Sequence, residues 1–224
     1  PHPPALLRDV GRVLGEMDAA LQSFSHPAMR RDLKWDLAGA SWAQEHLGYL
    51  PDPQRRALVE RLMALYEAEA APRLPDLRAS VIYNDGNDYN ILVGGDARDP
   101  RVVGVFDFGD MTYSQTVGEA AIAAAYAMLD KPDPLAAAAH VVAGYHAAFP
   151  LTEAELAVLY PLIVARLCVS VVNSAYCRAV DPANGHMMIN EAPAWALLER
   201  LAAASPTFAH FTFRDACGLP PSPT

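Results

Sequence analysis

The chain has 224 residues, of which 26 are acidic and 17 are basic, so its formal net charge is −9, and 52% of its residues are hydrophobic. This composition is typical of a globular protein with a sizeable core, and the acidic balance argues against binding to the phosphate backbone of nucleic acids. The sequence holds three cysteines and no CxxC pair, which argues against a zinc site or a disulfide framework and favours buried thiols in a reducing cytoplasm.

Two helices are predicted in the first third of the sequence. Apolar residues recur at intervals of three and four over residues 5–24, a pattern that indicates an amphipathic helix. Asp52 followed by Pro53 is typical of an N-cap with proline at the first helical position, so a second helix should begin there. Pro72 and Pro75 should end it, because proline lacks the amide hydrogen that a helix requires.

Three short strands are predicted near the middle of the sequence, at residues 81–83, 91–93 and 102–106. Apolar residues, many of them β-branched, cluster there between runs of glycine, asparagine and aspartate. A turn at residues 94–96 should join the last two strands, because glycine tolerates the backbone angles of tight turns. After about residue 116 the sequence reads as helical.

The predicted C-terminal half consists of helices. Thr152 and Glu155 form a capping-box pattern ahead of a long apolar stretch, and a final helix is expected over residues 192–203. The most apolar run, residues 156–172, is interrupted by a proline and by Arg166 and is too short to span a membrane. Arg166 should therefore make a buried ion pair within a protein core.

Two polar motifs adjoin the predicted strands. The sequence NDGNDYN places Asp85 and Asn90 five positions apart after the first strand. On its own this stretch is explained equally well as a hairpin turn, because Asn, Asp and Gly favour turns. The third strand, however, runs directly into Asp107-Phe108-Gly109. A D-x4-N loop followed by DFG is the order found in phosphotransferases of the kinase type, and the two motifs together are more specific than either alone.

The chemistry of phosphoryl transfer explains these residue types. An aspartate beside the acceptor hydroxyl can orient it and accept its proton, and we assign this role to Asp85. Mg²⁺ prefers a few oxygen ligands and takes the rest from phosphates, which makes Asn90 and Asp107 the expected metal ligands. Gly109 allows the tight turn after the metal ligand. The expected co-substrate is ATP or GTP.

A resemblance to the aminoglycoside phosphotransferase and choline kinase superfamily is carried by the sequences YNDGNDYNILV, at residues 83–93, and GVFDFGDMTYSQTVGEAAIAAAYAML, at residues 104–129. Within this superfamily the chain is similar to hydroxylysine-kinase-like enzymes and to the phosphotransferase domain fused to class III aminotransferases, over roughly residues 33–201. The resemblance implies an α+β, mostly α fold: the C-terminal lobe of a protein-kinase-like enzyme, with a few short central strands.

Two features depart from this family. Tyr83 stands where the family usually has histidine, and it is expected to organise the catalytic loop in its place. No Gly-rich loop or strand lysine, which form the family's ATP-covering N-terminal lobe, is found before residue 35. We therefore interpret residues 1–224 as a single domain, the substrate-binding lobe of a longer protein, with a frayed tail over residues 218–224. The missing lobe should leave an apolar patch exposed beside Asp107.

Five further residues are candidates for the site. Asp110 could face the substrate amine or the metal, or form a turn, and Asp88 could touch substrate or shape the loop. Trp35, followed by Asp36, could hold an ammonium group by cation–π attraction, although most tryptophans are simply packed. In the family an acid at the position of Glu119 braces the catalytic loop, but it could instead serve as a favourable charge at a helix N-terminus.

The sequence therefore predicts the C-terminal lobe of a cytoplasmic kinase that acts on a hydroxyl of a small amino-alcohol or amino acid. Its other expected partners are the missing N-terminal lobe and a fused aminotransferase domain, with no nucleic acid and no membrane. On this interpretation the 224-residue chain alone is inactive. The alternative is a non-catalytic kinase-like domain that serves as a binding or scaffold module of a larger fused enzyme, such as a class III aminotransferase.

Overall fold

Helices account for most of the described residues, which are 2–96, 98–181 and 190–220 of this computed structural model. In chain order the helices and strands are α1 (Pro4–Leu21), α2 (Trp42–Glu45), α3 (Pro53–Glu69), β1 (Ala79–Ile82), β2 (Ile91–Asp96), β3 (Asp99–Val105), β4 (Thr112–Gln115), α4 (Val117–Ala127), α5 (Pro134–Ala148), α6 (Glu153–Val180), α7 (Glu191–Leu201) and α8 (Pro206–Ala216). The predicted mostly helical architecture with a few short central strands is confirmed.

The longest helix, α6, lies at the centre of the core and packs against α3, α4, α7 and α8. It runs unbroken for 28 residues through Pro161 and Arg166, so these residues interrupt the apolar run of the sequence without breaking the helix, and the expectation that the segment is too short to span a membrane was wrong. By length and composition α6 could cross a membrane, but 89% of its most apolar window is buried inside the protein. Burial of this kind is what the core helix of a globular domain requires.

Helices α1 and α5 approach each other closely because both carry glycine at the contact. A Cβ atom added to Gly11 would lie 1.9 Å from the carbonyl oxygen of Val141, and one added to Gly144 would lie 1.9 Å from that of Arg8. No side chain larger than hydrogen fits at either position without moving the backbones apart. This packing fixes α1 against α5, and α1 also contacts α4, β1 and β3.

The four strands form two separate antiparallel pairs, β1 with β4 and β2 with β3. Strand β4 was not predicted; its partner β1 aligns Ile82 with Thr112. The turn predicted at residues 94–96 lies further along the chain, because Gly95, with φ of 89°, is still within β2 and the pairing continues to Asp96. Both pairs end at polar loops, which are thereby brought to one side of the helical domain.

The predicted helix ends are mostly observed. Asp52 caps α3 by accepting a hydrogen bond from the backbone nitrogen of Gln54 at 2.8 Å, and the helix ends at Glu69, ahead of a 3-10 turn that contains both prolines. The helix predicted over residues 192–203 corresponds to α7, but it is not the final one, because α8 follows it. Of the predicted tail, residues 221–224 lie outside the described residues.

The predicted capping box at the start of α6 is confirmed, and its removal should destabilise the chain. The Thr152 hydroxyl accepts from the backbone nitrogen of Glu155 at 3.2 Å, and the Glu155 carboxylate accepts from the backbone nitrogen of Thr152 at 2.8 Å. Loss of such a cap costs about 1 kcal/mol, so Thr152→Ala should lower the free energy of unfolding by about that amount, measured by urea denaturation.

The matched control is Thr212→Ala. The Thr212 hydroxyl donates to the carbonyl of Phe208 within α8 and caps no helix end. Its removal should leave the free energy of unfolding almost unchanged, because alanine is the better helix former. Equal losses in the two variants would contradict the role given to the capping box.

Candidate active site

The polar ends of the strands surround a cavity of about 490 Å³ that opens on one side of the helical domain. Its described lining combines carboxylates, amides, aromatic rings and one guanidinium: Trp35, Asp85, Asn87, Tyr89, Asn90, Phe106, Asp107, Asp110, Tyr126, Arg166, Ser170 and Asn190. The three residues predicted for catalysis and metal binding, Asp85, Asn90 and Asp107, thus line the same cavity, although they come from two different loops.

The backbone just before Asp85 is held in an unusual conformation. Asn84 is fully buried and has φ of 68°, in the left-handed region that asparagine tolerates better than most residues. Its backbone nitrogen donates to Oε2 of Glu119 at 2.7 Å, and its side-chain nitrogen donates to the carbonyl of Asp110 at 3.3 Å. These bonds tie the start of the loop to α4 and to the segment after Asp107.

The Asp85 carboxylate is held by two amides. Oδ1 accepts from Nδ2 of Asn87 at 2.8 Å, and Oδ2 accepts from Nδ2 of Asn90 at 2.6 Å. Burial raises the pKa of Asp85 above its ordinary value, and the positive charge of Arg166, with Nη2 at 3.6 Å from Oδ1, opposes this shift. A carboxylate with a raised pKa is a better proton acceptor, while the fixed hydrogen bonds define its orientation.

Asn90 and Asp107 offer oxygen atoms that suit a hard cation. Because Nδ2 of Asn90 donates to Asp85, its Oδ1 is the atom left to face a metal. Asp107 has φ of 60°, and its Oδ1 accepts from the backbone nitrogen of Gly109 at 3.2 Å. The described residues contain no cluster of three or more His, Cys, Asp or Glu suited to a metal. An amide oxygen and a carboxylate are the kinds of oxygen ligand that Mg²⁺ takes from a protein when phosphates and water supply the others.

Gly109 supports this turn by its lack of a side chain. A Cβ atom at that position would lie 3.0 Å from Oδ1 of Asp107, so a larger residue would press on the carboxylate. The Gly109 carbonyl also accepts from Nη1 of Arg31 at 2.5 Å. The turn is thus anchored to the segment that precedes α2.

Tyr83 joins the two loops. Its side chain is buried, its hydroxyl donates to the carbonyl of Phe106 at 2.5 Å, and its ring lies edge-on to that of Phe108 at 5.4 Å. Burial raises the pKa of the tyrosine hydroxyl, so it remains a proton donor. The hydrogen bond fixes the backbone directly before Asp107, a contact that a loop-organising residue needs.

Glu119 and Asp18 form a buried acidic pair behind the catalytic loop. Oδ2 of Asp18 accepts from the hydroxyl of Tyr145 at 2.5 Å. Burial raises the pKa of Glu119 to about 7, and burial together with the Glu119 charge raises the pKa of Asp18 well above its ordinary value. One oxygen of each carboxyl is buried without a hydrogen-bond partner. Both carboxyl groups are therefore more stable in the protonated form when the chain is folded.

We expect the stability of the chain to fall as pH rises from about 5 to about 8, because the folded state holds these protons more tightly than the unfolded state does. Glu119 has an ordinary pKa of 4.5 and a folded pKa of about 7, so its contribution is complete below 4.5 and is lost through 7. The loss amounts to about 3 kcal/mol. Glu119→Gln should reduce this slope in urea denaturation, while Asp18 retains part of it.

The control for this experiment is Glu60→Gln. Glu60 is exposed on α3, so its replacement leaves the buried pair intact, and the loss of stability attributed to Glu119 and Asp18 should persist in this variant. Identical slopes for the wild type and Glu119→Gln would contradict the assignment of the raised pKa.

The remaining candidates divide into two groups. Trp35 and Asp110 line the cavity, and the Trp35 ring centroid lies 5.3 Å from the guanidinium of Arg166. Asp36 is not among the lining residues: its carboxylate accepts from the backbone nitrogen of Ala38 at 3.0 Å and from the hydroxyl of Ser114 at 2.5 Å. Asp88 lines a separate apolar cavity of about 90 Å³. Of these four candidates, Trp35 and Asp110 line the cavity that holds Asp85, and Asp36 and Asp88 do not.

Arg166 lines the cavity, although no role in the site was expected for it from the sequence. It was expected only to make a buried ion pair, and the partner proves to be Asp85. In the sequence, Arg166 is a charged residue within an apolar helix. This pattern indicates that a residue of opposite charge lies nearby, but it does not indicate which residue.

Two exposed apolar side chains adjoin Asp107 in the sequence: Phe106 is 50% exposed and Phe108 is 52% exposed. Leu92, Val93 and Val103 of the hairpin of β2 and β3 are exposed as well. An apolar patch beside Asp107 was expected from the sequence, and patches of this kind mark surfaces that contact another part of a protein or a ligand.

The fold and the site define a protein-kinase-like architecture, and comparison with known proteins places the chain more closely. Residues 1–159 match the phosphotransferase enzyme family, APH. The chain belongs to that family.

Two curated relatives are hydroxylysine kinases. That of Mus musculus is 31% identical over 206 residues, which cover 87% of this chain and 54% of the relative. The hydroxylysine kinase of Bos taurus is 32% identical over 212 residues, which cover 90% of this chain and 56% of the relative. The chain thus spans about half the length of these relatives.

Solved structures share the fold. The microcompartment-associated aminopropanol kinase aligns with a TM-score of 0.61 and 20% identity, over 87% of this chain and 61% of that chain. An amicoumacin kinase in complex with AMP-PNP, Ca²⁺ and Ami aligns with a TM-score of 0.54 and 15% identity, over 89% and 60%. The predicted protein-kinase-like fold is confirmed.

Proposed function

We propose that the protein to which this chain belongs transfers the γ-phosphoryl group of ATP or GTP to a hydroxyl of a small amino-alcohol or hydroxylated amino acid. The observation that carries this proposal is that Asp85, Asn90 and Asp107 line one cavity. Phosphoryl transfer requires in-line positioning of the hydroxyl and neutralisation of phosphate charge, and these three residues are suited to both tasks.

Each residue has a distinct role in this proposal. Asp85 accepts a hydrogen bond from the substrate hydroxyl and takes its proton as the bond to phosphorus forms. Asn90 and Asp107 would hold Mg²⁺, which neutralises phosphate charge when bound. Tyr83 and Glu119 hold the backbones of the two loops, as their bonds to Phe106 and Asn84 allow.

The charge of the cavity supports an amine-bearing substrate. Asp85, Asp107 and Asp110 line it, against a single described cation, Arg166. The excess of carboxylates attracts a cationic ligand. The relatives described as hydroxylysine kinase and aminopropanol kinase are consistent with this class.

We further propose that the residues covering the nucleotide belong to the part of the protein that this chain does not match in its relatives. The chain spans 54% of the mouse relative, and the exposed patch at Phe106 and Phe108 would then contact that part. On this proposal the chain alone binds ATP weakly and is inactive, and the whole protein acts in the cytoplasm.

A second candidate function is a non-catalytic kinase-like domain that serves as a binding or scaffold module of a larger fused enzyme, such as a class III aminotransferase. The observation that favours it is Tyr83, which stands where the family usually has histidine. The two candidates differ in a single observable, which is turnover of nucleotide.

The deciding experiment measures ATP and GTP consumption by the full-length protein with a panel of amino-alcohols and hydroxylated amino acids. We expect consumption that requires both Mg²⁺ and one class of substrate. Binding of a panel member without any turnover, across the Mg²⁺ range tested, would support the scaffold function and overturn the kinase.

A further inference from the structure

We propose that Arg166 binds the carboxylate of the substrate, so that the preferred substrate is a hydroxylated amino acid rather than a simple amino-alcohol. This inference rests on the proposed kinase function and specifies the substrate of the same cavity. The proposed phosphoryl transfer gives Arg166 no ligand, and this inference assigns one to it.

The position of Arg166 suits recognition of an anion. It lies in the middle of α6, is only 3% exposed, and is the one positively charged residue among the described residues of the cavity lining. Its guanidinium lies 5.3 Å from the ring centroid of Trp35 and 5.4 Å from that of Tyr126. These rings restrict the side chain, and a pre-oriented guanidinium loses little entropy when it binds a carboxylate.

The hydrogen bonds of Arg166 are incomplete. Nη1 donates to the carbonyl of Trp35 at 3.2 Å, and Nη2 donates to the hydroxyl of Tyr126 at 3.1 Å. Nε is buried and has no partner. Among the described residues, a second N–H on each terminal nitrogen also finds no acceptor. A buried N–H group without an acceptor costs free energy, so binding of a ligand that supplies an acceptor to this guanidinium is favourable.

Asp85 does not fill this need. Its Oδ1 lies 3.6 Å from Nη2, beyond the usual hydrogen-bond distance of about 2.7–3.2 Å. Both oxygens of Asp85 already accept bonds from Asn87 and Asn90. The charges attract each other, but the paired N–H groups that make arginine a selective ligand for carboxylates remain unused.

The distance between the two groups fits a small bifunctional substrate. A hydroxyl bonded to Asp85 and a carboxylate bonded to Arg166 would have anchor atoms 3.6 Å apart, which the two functional groups of one amino acid can span. Asp110 lines the same cavity and offers a carboxylate to the amine. A zwitterion therefore meets a group of opposite charge at each end.

The transferred phosphoryl group is another anion that Arg166 could bind. The test therefore distinguishes binding of the substrate carboxylate from binding of the phosphoryl group. The probes are serine, threonine, homoserine and 5-hydroxylysine, each compared with its carboxamide, which keeps the hydroxyl and amine and lacks the negative charge. Affinity for the full-length protein is measured by calorimetry, and turnover is measured in parallel with ATP and Mg²⁺.

For at least one pair, the wild type should bind the acid more tightly than the amide. Arg166→Gln should weaken binding of the acid by about 10- to 100-fold, the range for a hydrogen bond to a charged group, and should leave the amide almost unchanged. Arg166→Lys should show a smaller loss, and in turnover Arg166→Gln should raise KM for the acid without raising KM for the amide.

The control is Arg214→Gln. Arg214 is also buried, pairs with Glu153 and has an unpartnered Nε, but it lies on α8 outside the cavity lining. This variant reports the cost of losing a buried guanidinium elsewhere, and its preference for acid over amide should equal that of the wild type. Circular dichroism checks that each variant is folded.

Two results would overturn the inference. One is equal loss for acid and amide in Arg166→Gln, which would assign the guanidinium to the phosphoryl group or to Asp85. The other is a folded wild type that binds no acid more tightly than its amide. Failure of the proposed kinase function is a separate result, namely tight and Arg166-dependent binding of an acid without any turnover.

Discussion

Replacement of Asp85 by asparagine in the full-length protein should lower kcat by about 10²- to 10⁴-fold, the usual contribution of a general base. The carboxylate and the amide have nearly the same shape, so the loss reflects the missing proton acceptor together with the one hydrogen bond, from Asn87 or Asn90, that an amide nitrogen cannot accept. The role is exercised in the transition state, and the effect should therefore fall mainly on kcat and only slightly on KM.

The matched control is Asp133→Asn. Asp133 caps α5 by accepting from the backbone nitrogen of Ala136 at 3.0 Å, and asparagine caps helices as well as aspartate does. The same chemical change at this distant position should leave kcat and the melting temperature unchanged. Full activity of Asp85→Asn, or an equal loss in the control, would exclude the assigned role.

Local interactions explain which parts of the fold were predictable. The helix caps at Asp52 and Thr152 join residues that are only two or three positions apart in the sequence, so the local sequence is enough to predict them. Strand β4 is different: its four residues Thr112–Gln115 are too few to show a period, and they are extended because β1 pairs with them. Gly95 was misleading for a related reason, since its positive φ lies within β2 rather than at the turn.

The candidate site shows the same division. Asp85, Asn90 and Asp107 carry a recognisable spacing, and the structure places them in one cavity. Arg166 comes from a helix some 80 residues away in sequence, and no local pattern connects it with Asp85. Asp88 and Asn87 are adjacent, yet only Asn87 faces the cavity, because the conformation of the loop decides which side chain turns inward. Such assignments depend on tertiary packing.

The effect of replacing Asp107 by asparagine should depend on Mg²⁺. We propose that Asp107 is the charged ligand of the metal, and its conversion to an amide weakens Mg²⁺ and hence the binding of the nucleotide phosphates. In the full-length protein, activity at low Mg²⁺ should fall by about 10²-fold or more, since loss of one well-placed charge in an active site has effects of that size. The backbone at Asp107 has φ of 60°, a conformation that asparagine adopts at least as readily as aspartate, so the loop should keep its shape.

A Mg²⁺ titration of both variants separates the two roles. Excess Mg²⁺ should restore part of the activity of Asp107→Asn by mass action, because the remaining ligands, Asn90 and the phosphates, still bind the metal. It should not restore Asp85→Asn, whose missing group is a proton acceptor rather than a metal ligand. Equal rescue of the two variants would show that Asp85 and Asp107 act on the same species, and the division of labour proposed between them would then be wrong.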